Sequence, residues 1–391
     1  MRNRSAAVFR ISLVSAAALV AASGVAQAEN WKIETSGSGK LEIDDNPLLS
    51  TENAESVTGV ILTPTLRAKH DTGASQVEFG GQLEANQYDD SSFNSNDVYI
   101  DALGRQKFST GMMELRGSYN YDTTRTSEVS ESGLSIAGVR HTTFSLRPHI
   151  ETALTQTEQL NLDGSFTNSK YDSSEYTDYR NYSIKPSLRH AFNEIHSGIL
   201  AVEGSRYEST SGTGVTADNL IPSVGWDAQL SPRWRTNVAV GVQYTQTDYE
   251  ITGPNDPSGS EWDYYYSGGI TFTGLNDKIG FDFSRRPSSL SSGSQSQATS
   301  FRLNGTHTVN PKLDLKLGLI YQNSQRSGSN PGGNNDISFI EAAPQLVYRL
   351  TEKVNLNLMY RHREREIGDS DATSDAVMMT LTFRPDEFNI D

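Results

Sequence analysis

Between Asn219 and Glu250 the chain alternates with period two through two consecutive segments, and this alternation restricts the fold more than any other feature of the sequence. Leu220, Pro222, Val224, Trp226, Ala228 and Leu230 take every second position, while Asn219, Ser223, Gly225, Asp227 and Gln229 fill the gaps; only Ile221 breaks the rule. A tight turn follows at Ser231-Pro232-Arg233-Trp234, where proline supplies the φ such a turn needs. Then Val238, Val240, Val242 and Tyr244 alternate with Asn237, Gly241, Gln243 and Thr245. Period two means strands with two unlike faces. Each apolar face spans about 9 to 11 residues, enough to cross a hydrocarbon layer at a tilt.

Composition selects among all-β architectures. Only 35 % of the 391 residues are hydrophobic, whereas a water-soluble globule of this size needs about 45 to 50 % counting glycine. A barrel with a wet interior needs apolar residues on its outer band alone. There is no cysteine, so no disulfide framework holds the chain together. The start reads as a secretory signal over residues 1–28: Arg2, Arg4 and Arg10 precede an apolar run over 11–20, and small residues end at Ala26-Gln27-Ala28. That run is too short for a spanning helix. Cleavage leaves residues 29–391 with 30 basic groups against 48 acidic ones, since three of the 33 are lost. The balance argues against nucleic acid as a partner. The expected location is the outer membrane of a Gram-negative cell, with membrane lipid around the chain.

Along the chain, residues 31–40 read as a short periplasmic lead into a weak strand at Leu41 and Ile43. Short connections are expected near Asp71, Ser109, Gln156, Asn193, Pro232, Asn276, Pro311 and Glu352. Long ones are expected at 45–55, 89–96, 126–137, 172–178, 208–218, 250–261, 287–296, 326–336 and 367–373. Eight short turns and nine long loops predict a transmembrane antiparallel up-and-down β-barrel of about 18 strands, both termini periplasmic. Pro64, Pro148, Pro186, Pro222 and Pro344 sit in phase with the apolar faces of strands running toward short turns. Proline removes a ladder donor, so bulges are expected there. The last strand, ending at Phe383, has the apolar, aromatic-ended form of a barrel-assembly signal, followed by a tail over 385–391. Tyr119, Tyr121, Trp226, Trp234, Tyr244, Tyr264 and Tyr360 fit interfacial girdles.

Nothing points to an enzyme. The seven histidines are scattered without a metal-ligand spacing, and no nucleophile elbow accompanies them. Asp44 and Asp45 crowd oxygens as a cation site would, yet an Asx turn explains them equally; no metal or cofactor site is assigned. Alternation instead turns Arg67, Arg116, Arg147, Lys185, Arg189, Lys316, Arg361, Arg363 and Arg365 toward a lumen, and acids share those faces. Such residues either stiffen the wall by pairing or select cargo. Arg361, Arg363 and Arg365 stand on one strand, where three clustered cations would attract an anionic polymer.

Leu41-Glu42-Ile43-Asp44-Asp45-Asn46-Pro47, the repeated Pro-x-apolar strands and the strand count resemble the β-barrel porin 2 family, outer-membrane barrels associated with exopolysaccharide production. The resemblance implies a passive channel for a polysaccharide or a smaller solute, with periplasmic polysaccharide-export proteins as partners. A small-solute diffusion porin and a surface adhesin or structural barrel remain open. An export channel calls for a wide aromatic lumen, with Tyr99, Tyr207 and Tyr265 as inward candidates. A diffusion porin calls for one segment folded inward, and no loop is conspicuously long.

Overall fold

The computed structural model describes residues 31–128, 138–212, 214–250, 258–291, 293–326 and 336–390; the expected signal segment and most of the loop at 326–336 lie outside them. The strands are β1 Trp31–Asp44, β2 Val57–Asp71, β3 Ser75–Tyr88, β4 Ser95–Lys107, β5 Gly111–Thr123, β6 Arg140–Ala153, β7 Glu158–Tyr171, β8 Tyr179–Ala191 and β9 His196–Ser209. They continue as β10 Val215–Ser231, β11 Trp234–Tyr249, β12 Gly259–Thr273, β13 Asp277–Leu290, β14 Ser294–Asn310, β15 Leu313–Arg326, β16 Ile337–Arg349, β17 Val354–Ile367 and β18 Ser370–Phe383. Each pairs antiparallel with its neighbours in sequence, and β18 returns to β1 from Gly37↔Phe383 to Asp44↔Ala376, closing an 18-stranded barrel. Closure leaves no sheet edge to template pairing with another chain.

The first strand is longer than its sequence pattern implies. Residues 31–40 are part of β1 and pair with β2 from Trp31↔His70 onward. Their outward positions include Thr35, Gly37 and Gly39, which carry no apolar signal. The tail is also structured: β19, Phe388–Ile390, pairs with Trp31, Lys32 and Ile33, where β18 has already ended. The 18 strands of the wall have 13 to 17 residues, more than a bilayer crossing requires, so their ends project beyond it.

Facing follows the alternation. Leu315, Leu317, Leu319 and Tyr321 are exposed on the outside, whereas Asp314 is buried within. Leu220, Val224 and Trp226 point out; Asn219, Ser223 and the exceptional Ile221 are buried inside. The outward apolar band continues around the barrel through Leu41, Leu62, Leu83, Leu115, Ile150, Leu188, Leu200, Val240, Ile279, Leu358 and Leu381, all exposed. A contiguous apolar surface of this extent, far above the few hundred Å² usual on soluble monomers, is a surface for lipid.

The expected bulges at the five prolines are absent. At Pro222 the β10–β11 ladder stops after Leu220↔Tyr244 and resumes at Ser223↔Gly241 in the same register, while the ladder to β9 runs unbroken through Pro222↔Val202. Pro64, Pro148, Pro186 and Pro344 make the same one-sided gap toward the following strand. The missing N–H removes bonds on one side only, so two ladder positions open and no residue is inserted. Register shifts occur instead beside short turns, between Ala228 and Ser231 and between Thr308 and Asn310.

The eight short turns fall where expected. Several of the long loops do not: β9 and β10 are separated by residues 210–214, β13 and β14 by 291–293, and β17 and β18 by Gly368 and Asp369. At these places the strands extend through residues that read as loop.

Candidate channel lining and constriction

The lumen is lined by the polar positions of every strand. In the half nearer the short turns, Arg67 pairs with Glu78 at 3.2 Å, Arg116 with Glu114 at 2.5 Å and Arg189 with Asp227 at 3.2 Å. The first joins the adjacent strands β2 and β3, the second joins neighbouring inward positions of β5, and the third reaches over β9 from β8 to β10. Arg147, Lys185 and Lys316 also face inward, and among the described residues no carboxylate lies within 4.0 Å of them. Arg147 and Lys316 are exposed there, so this half of the lumen is open to water.

At the loop end the lining is dry and cross-linked. On β17, Arg361 reaches Glu42 at 3.3 Å and Asp44 at 2.9 Å, and Arg363 reaches Asp44 at 2.9 Å and the Ser374 hydroxyl at 2.9 Å. Arg365 donates to the Leu49 carbonyl. The Asp44 carboxylate is fully buried and also accepts from the Asn46 amide at 3.1 Å and Ser374 Oγ at 2.8 Å. Asp44 therefore forms the Asx turn, and the positive charge beside it comes from guanidinium groups. Asn46 fastens the same loop to β18 through the Thr373 carbonyl at 3.0 Å, and Leu49 packs on Phe339 and Ala372. The three arginines of β17 anchor the β1–β2 loop across β18; this is the pairing alternative, not an array of open cations.

The network continues through the β5–β6 connection. A helical turn at Thr124–Ser127 carries Arg125 inward, where it meets Tyr88 Oη at 2.7 Å, lies 4.7 Å over the Tyr88 ring and approaches Glu42 at 3.9 Å. Burial alone would lower the Arg125 guanidinium, but the Tyr88 oxygen and the Glu42 carboxylate outweigh it and hold the group above the usual arginine value. Lys40 completes the set at 3.0 Å from Glu42.

On the other side, Tyr171, Tyr176, Tyr179, Tyr207, Val215 and Ala217 form an apolar cluster inside the mouth, with the rings of Tyr171 and Tyr176 stacked at 5.0 Å. Tyr171 Oη and Glu128 are 2.5 Å apart. Of the tyrosines expected in the lumen, Tyr207 is wholly buried and Tyr265 nearly so, its hydroxyl 3.1 Å from Ser267 Oγ; Tyr99 is half-buried.

The narrowing comes from strands. Asn181 and Glu203 are inward positions of β8 and β9, flanked by outward Tyr182, Val202 and Leu200. Both are met by the far end of the β13–β14 hairpin: Asn181 Nδ2 donates to Ser289 Oγ at 3.0 Å, and Arg286 lies 3.4 Å from Glu203. The Thr177 amide donates to the Ser291 carbonyl at 2.7 Å. Three strands lie between β9 and β13 and four between β8 and β13 around the wall, so the hairpin end crosses the lumen. Ser291, Gln295, Ser296 and Gln297 are buried as a result. The absence of a long loop in the sequence therefore did not mean the absence of a constriction. A signal was present: Arg285 continues the outward parity of Phe281 and Phe283, and an arginine at that position marks a strand leaving the lipid-facing wall.

No protein-family model matches the chain, and no curated protein matches it. Among solved structures it is similar to OccAB4 of Acinetobacter baumannii, with 10 % identity over 93 % of this chain and 99 % of that one, at a TM-score of 0.47. It is similar to OccK11 (OpdR) of Pseudomonas aeruginosa, with 11 % identity, 93 % and 98 % coverage and a TM-score of 0.43. The unliganded ferric citrate transporter FecA gives 10 % identity and a TM-score of 0.48 over 87 % of this chain and 60 % of that one. The barrel assignment stands on the closed strand ladder itself.

Proposed function

We propose that this chain is an outer-membrane channel, with its short turns in the periplasm and its long loops outside, that passes small polar solutes rather than a polymer. The β13–β14 hairpin end lying across the lumen carries this reading, because an inward-folded segment limits the size of what can pass. Arg147, Lys185 and Lys316, set against the inward carboxylates of Asp101 and Asp282 in the same half, shift the periplasmic half toward anions. Their reach is about one Debye length, ~8 Å at physiological salt, so only a solute near the wall feels them. Of the histidines, His149 and His141 belong to the lining, meeting Asp163 at 2.7 Å and Asp122 at 3.3 Å on neighbouring strands, whereas His70, His190, His196, His307 and His362 share the outward parity of Leu66, Leu188, Leu200, Phe301 and Leu358.

Liposomes containing the purified protein test the reading. Swelling rates should fall steeply from monosaccharides to trisaccharides, and the Arg147→Gln, Lys185→Gln, Lys316→Gln protein should lose anion preference without losing conductance. Equal rates for all three sugar sizes, or no permeation at all, would count against it. Export of a polysaccharide, the function implied by the porin 2 resemblance, requires the hairpin end to leave the lumen. It predicts reduced polymer secretion in a deletion strain.

A further inference from the structure

The seam between β12 and β13 is unlike the others. Its ladder runs from Thr273↔Lys278 to Tyr266↔Arg285 and stops. On either side the strands go on pairing with their other neighbours, β12 with β11 as far as Gly259↔Thr247 and β13 with β14 as far as Leu290↔Ser294. Residues 259–265 of β12 thus face residues 286–290 of β13 without a ladder between them. Trp262 and Tyr264, on the parted stretch of β12, are 71 % and 75 % exposed. The cause of the parting is local. In continued register Pro287 stands opposite Tyr264 and has no N–H to donate, and the ladder does not resume beyond it as it does at the other five prolines.

We propose that the far end of the β13–β14 hairpin is the gate of this channel, with two mutually exclusive positions. In the position seen here it crosses the lumen to β8 and β9 and leaves the upper β12 edge without a ladder, its Tyr264 carbonyl accepting from the Gln297 side chain at 3.5 Å. In the other it swings back into the wall, extends the β12–β13 ladder through Asp263↔Ser288 and Trp262↔Ser289, and clears the lumen. The hinge lies at Arg285, which keeps hold of β12 and β14 in the crossing position through Asp263 at 2.8 Å and Thr299 Oγ1 at 2.9 Å. Among the described residues the crossing position is held to β8, β9 and the loop before β8 by one neutral side-chain hydrogen bond, one main-chain hydrogen bond and an ion pair whose arginine is half-exposed, while β14 stays laddered to β15 as far as Ser296↔Arg326, so the end of β15 moves with the hairpin. Returning to the wall exchanges these contacts for ladder bonds that the β12 edge lacks. The proposal rests on the channel reading above and adds its regulation.

The chain has no cysteine, so engineered pairs report cleanly. Asn181→Cys with Ser289→Cys locks the crossing position, and Trp262→Cys with Ser289→Cys locks the wall position. Both pairs should cross-link on oxidation in isolated outer membranes. In planar bilayers the first lock should lower single-channel conductance severalfold relative to the same protein after reduction, and the second should raise it severalfold. A wild-type protein that conducts while neither lock changes its conductance overturns the gate and leaves the channel standing, as does failure of the Trp262/Ser289 pair to cross-link. A wild-type protein that carries no current refutes the channel instead; the two cross-linking yields then decide by themselves whether the hairpin end takes both positions.

Discussion

Replacing Asp44 by asparagine isolates the charge cluster that ties the β1–β2 loop to β17. The wild-type carboxylate is fully buried and holds Arg361 and Arg363, each at 2.9 Å. Asparagine keeps the shape but removes the charge, leaving Arg363, itself 4 % exposed, without its closest anion. Removing one partner of a buried pair costs about 3 to 5 kcal/mol. Arg206 and Asp218 provide the control: their two contacts are 2.7 Å each, tighter than those of Asp44, yet both side chains are roughly half-exposed. Asp218→Asn should therefore cost only about 0.2 to 1 kcal/mol. With an m value of ~3 kcal/mol/M in urea, the first change lowers the unfolding midpoint in bilayers by about 1 to 2 M and the second by about 0.1 to 0.3 M. Arg363→Met combined with Asp44→Asn should recover part of the loss, because the stranded charge is then gone. Equal midpoints for Asp44→Asn and Asp218→Asn would refute the argument that burial, rather than contact distance, sets the strength of these pairs.

Leu317→Arg places a charge in the lipid-facing band and should cost about 2 to 4 kcal/mol on folding into bilayers, whereas inward Lys316→Leu should cost much less; equal effects would reverse the facing of β15. Changing Arg361, Arg363 and Arg365 together to glutamine should chiefly lower stability and leave ion selectivity nearly unchanged, read by reversal potentials and urea midpoints. Glu203→Gln removes the ion pair that Arg286 makes across the lumen and should raise mean conductance with little effect on stability; an unchanged conductance would show that this contact does not hold the hairpin end.

Facing was legible because polarity alternates residue by residue: Leu315, Leu317 and Leu319 out, Asp314 and Lys316 in, all follow from one rule. What escaped that rule lacked its signal. In β1 the outward row Trp31, Ile33, Leu41 and Ile43 is interrupted by Thr35, Gly37 and Gly39, small residues that pair as well as any others but break the apolar stripe. The tightness of the β17–β18 hairpin was hidden by polar residues that continue both strands past the membrane. The Ser- and Gln-rich stretch on either side of Gly293 has the composition of a solvated loop, and composition does not distinguish a loop in bulk water from a hairpin packed across the lumen. Partners within the lining were equally hidden, since Asp44 and Arg363 lie 319 residues apart and meet only when β18 closes on β1.

The constriction is placed in the loop half of the lumen, with an open vestibule on the short-turn side, and polymer exclusion in planar bilayers measures that asymmetry directly. Neutral polyethylene glycols of graded size are added to one side at a time while single-channel conductance is recorded. Glycols of intermediate size should enter from the short-turn side and lower the conductance, and the same sizes should have no such effect from the loop side. Identical size cut-offs from both sides would contradict a barrel narrowed in its outer half by the β13–β14 hairpin.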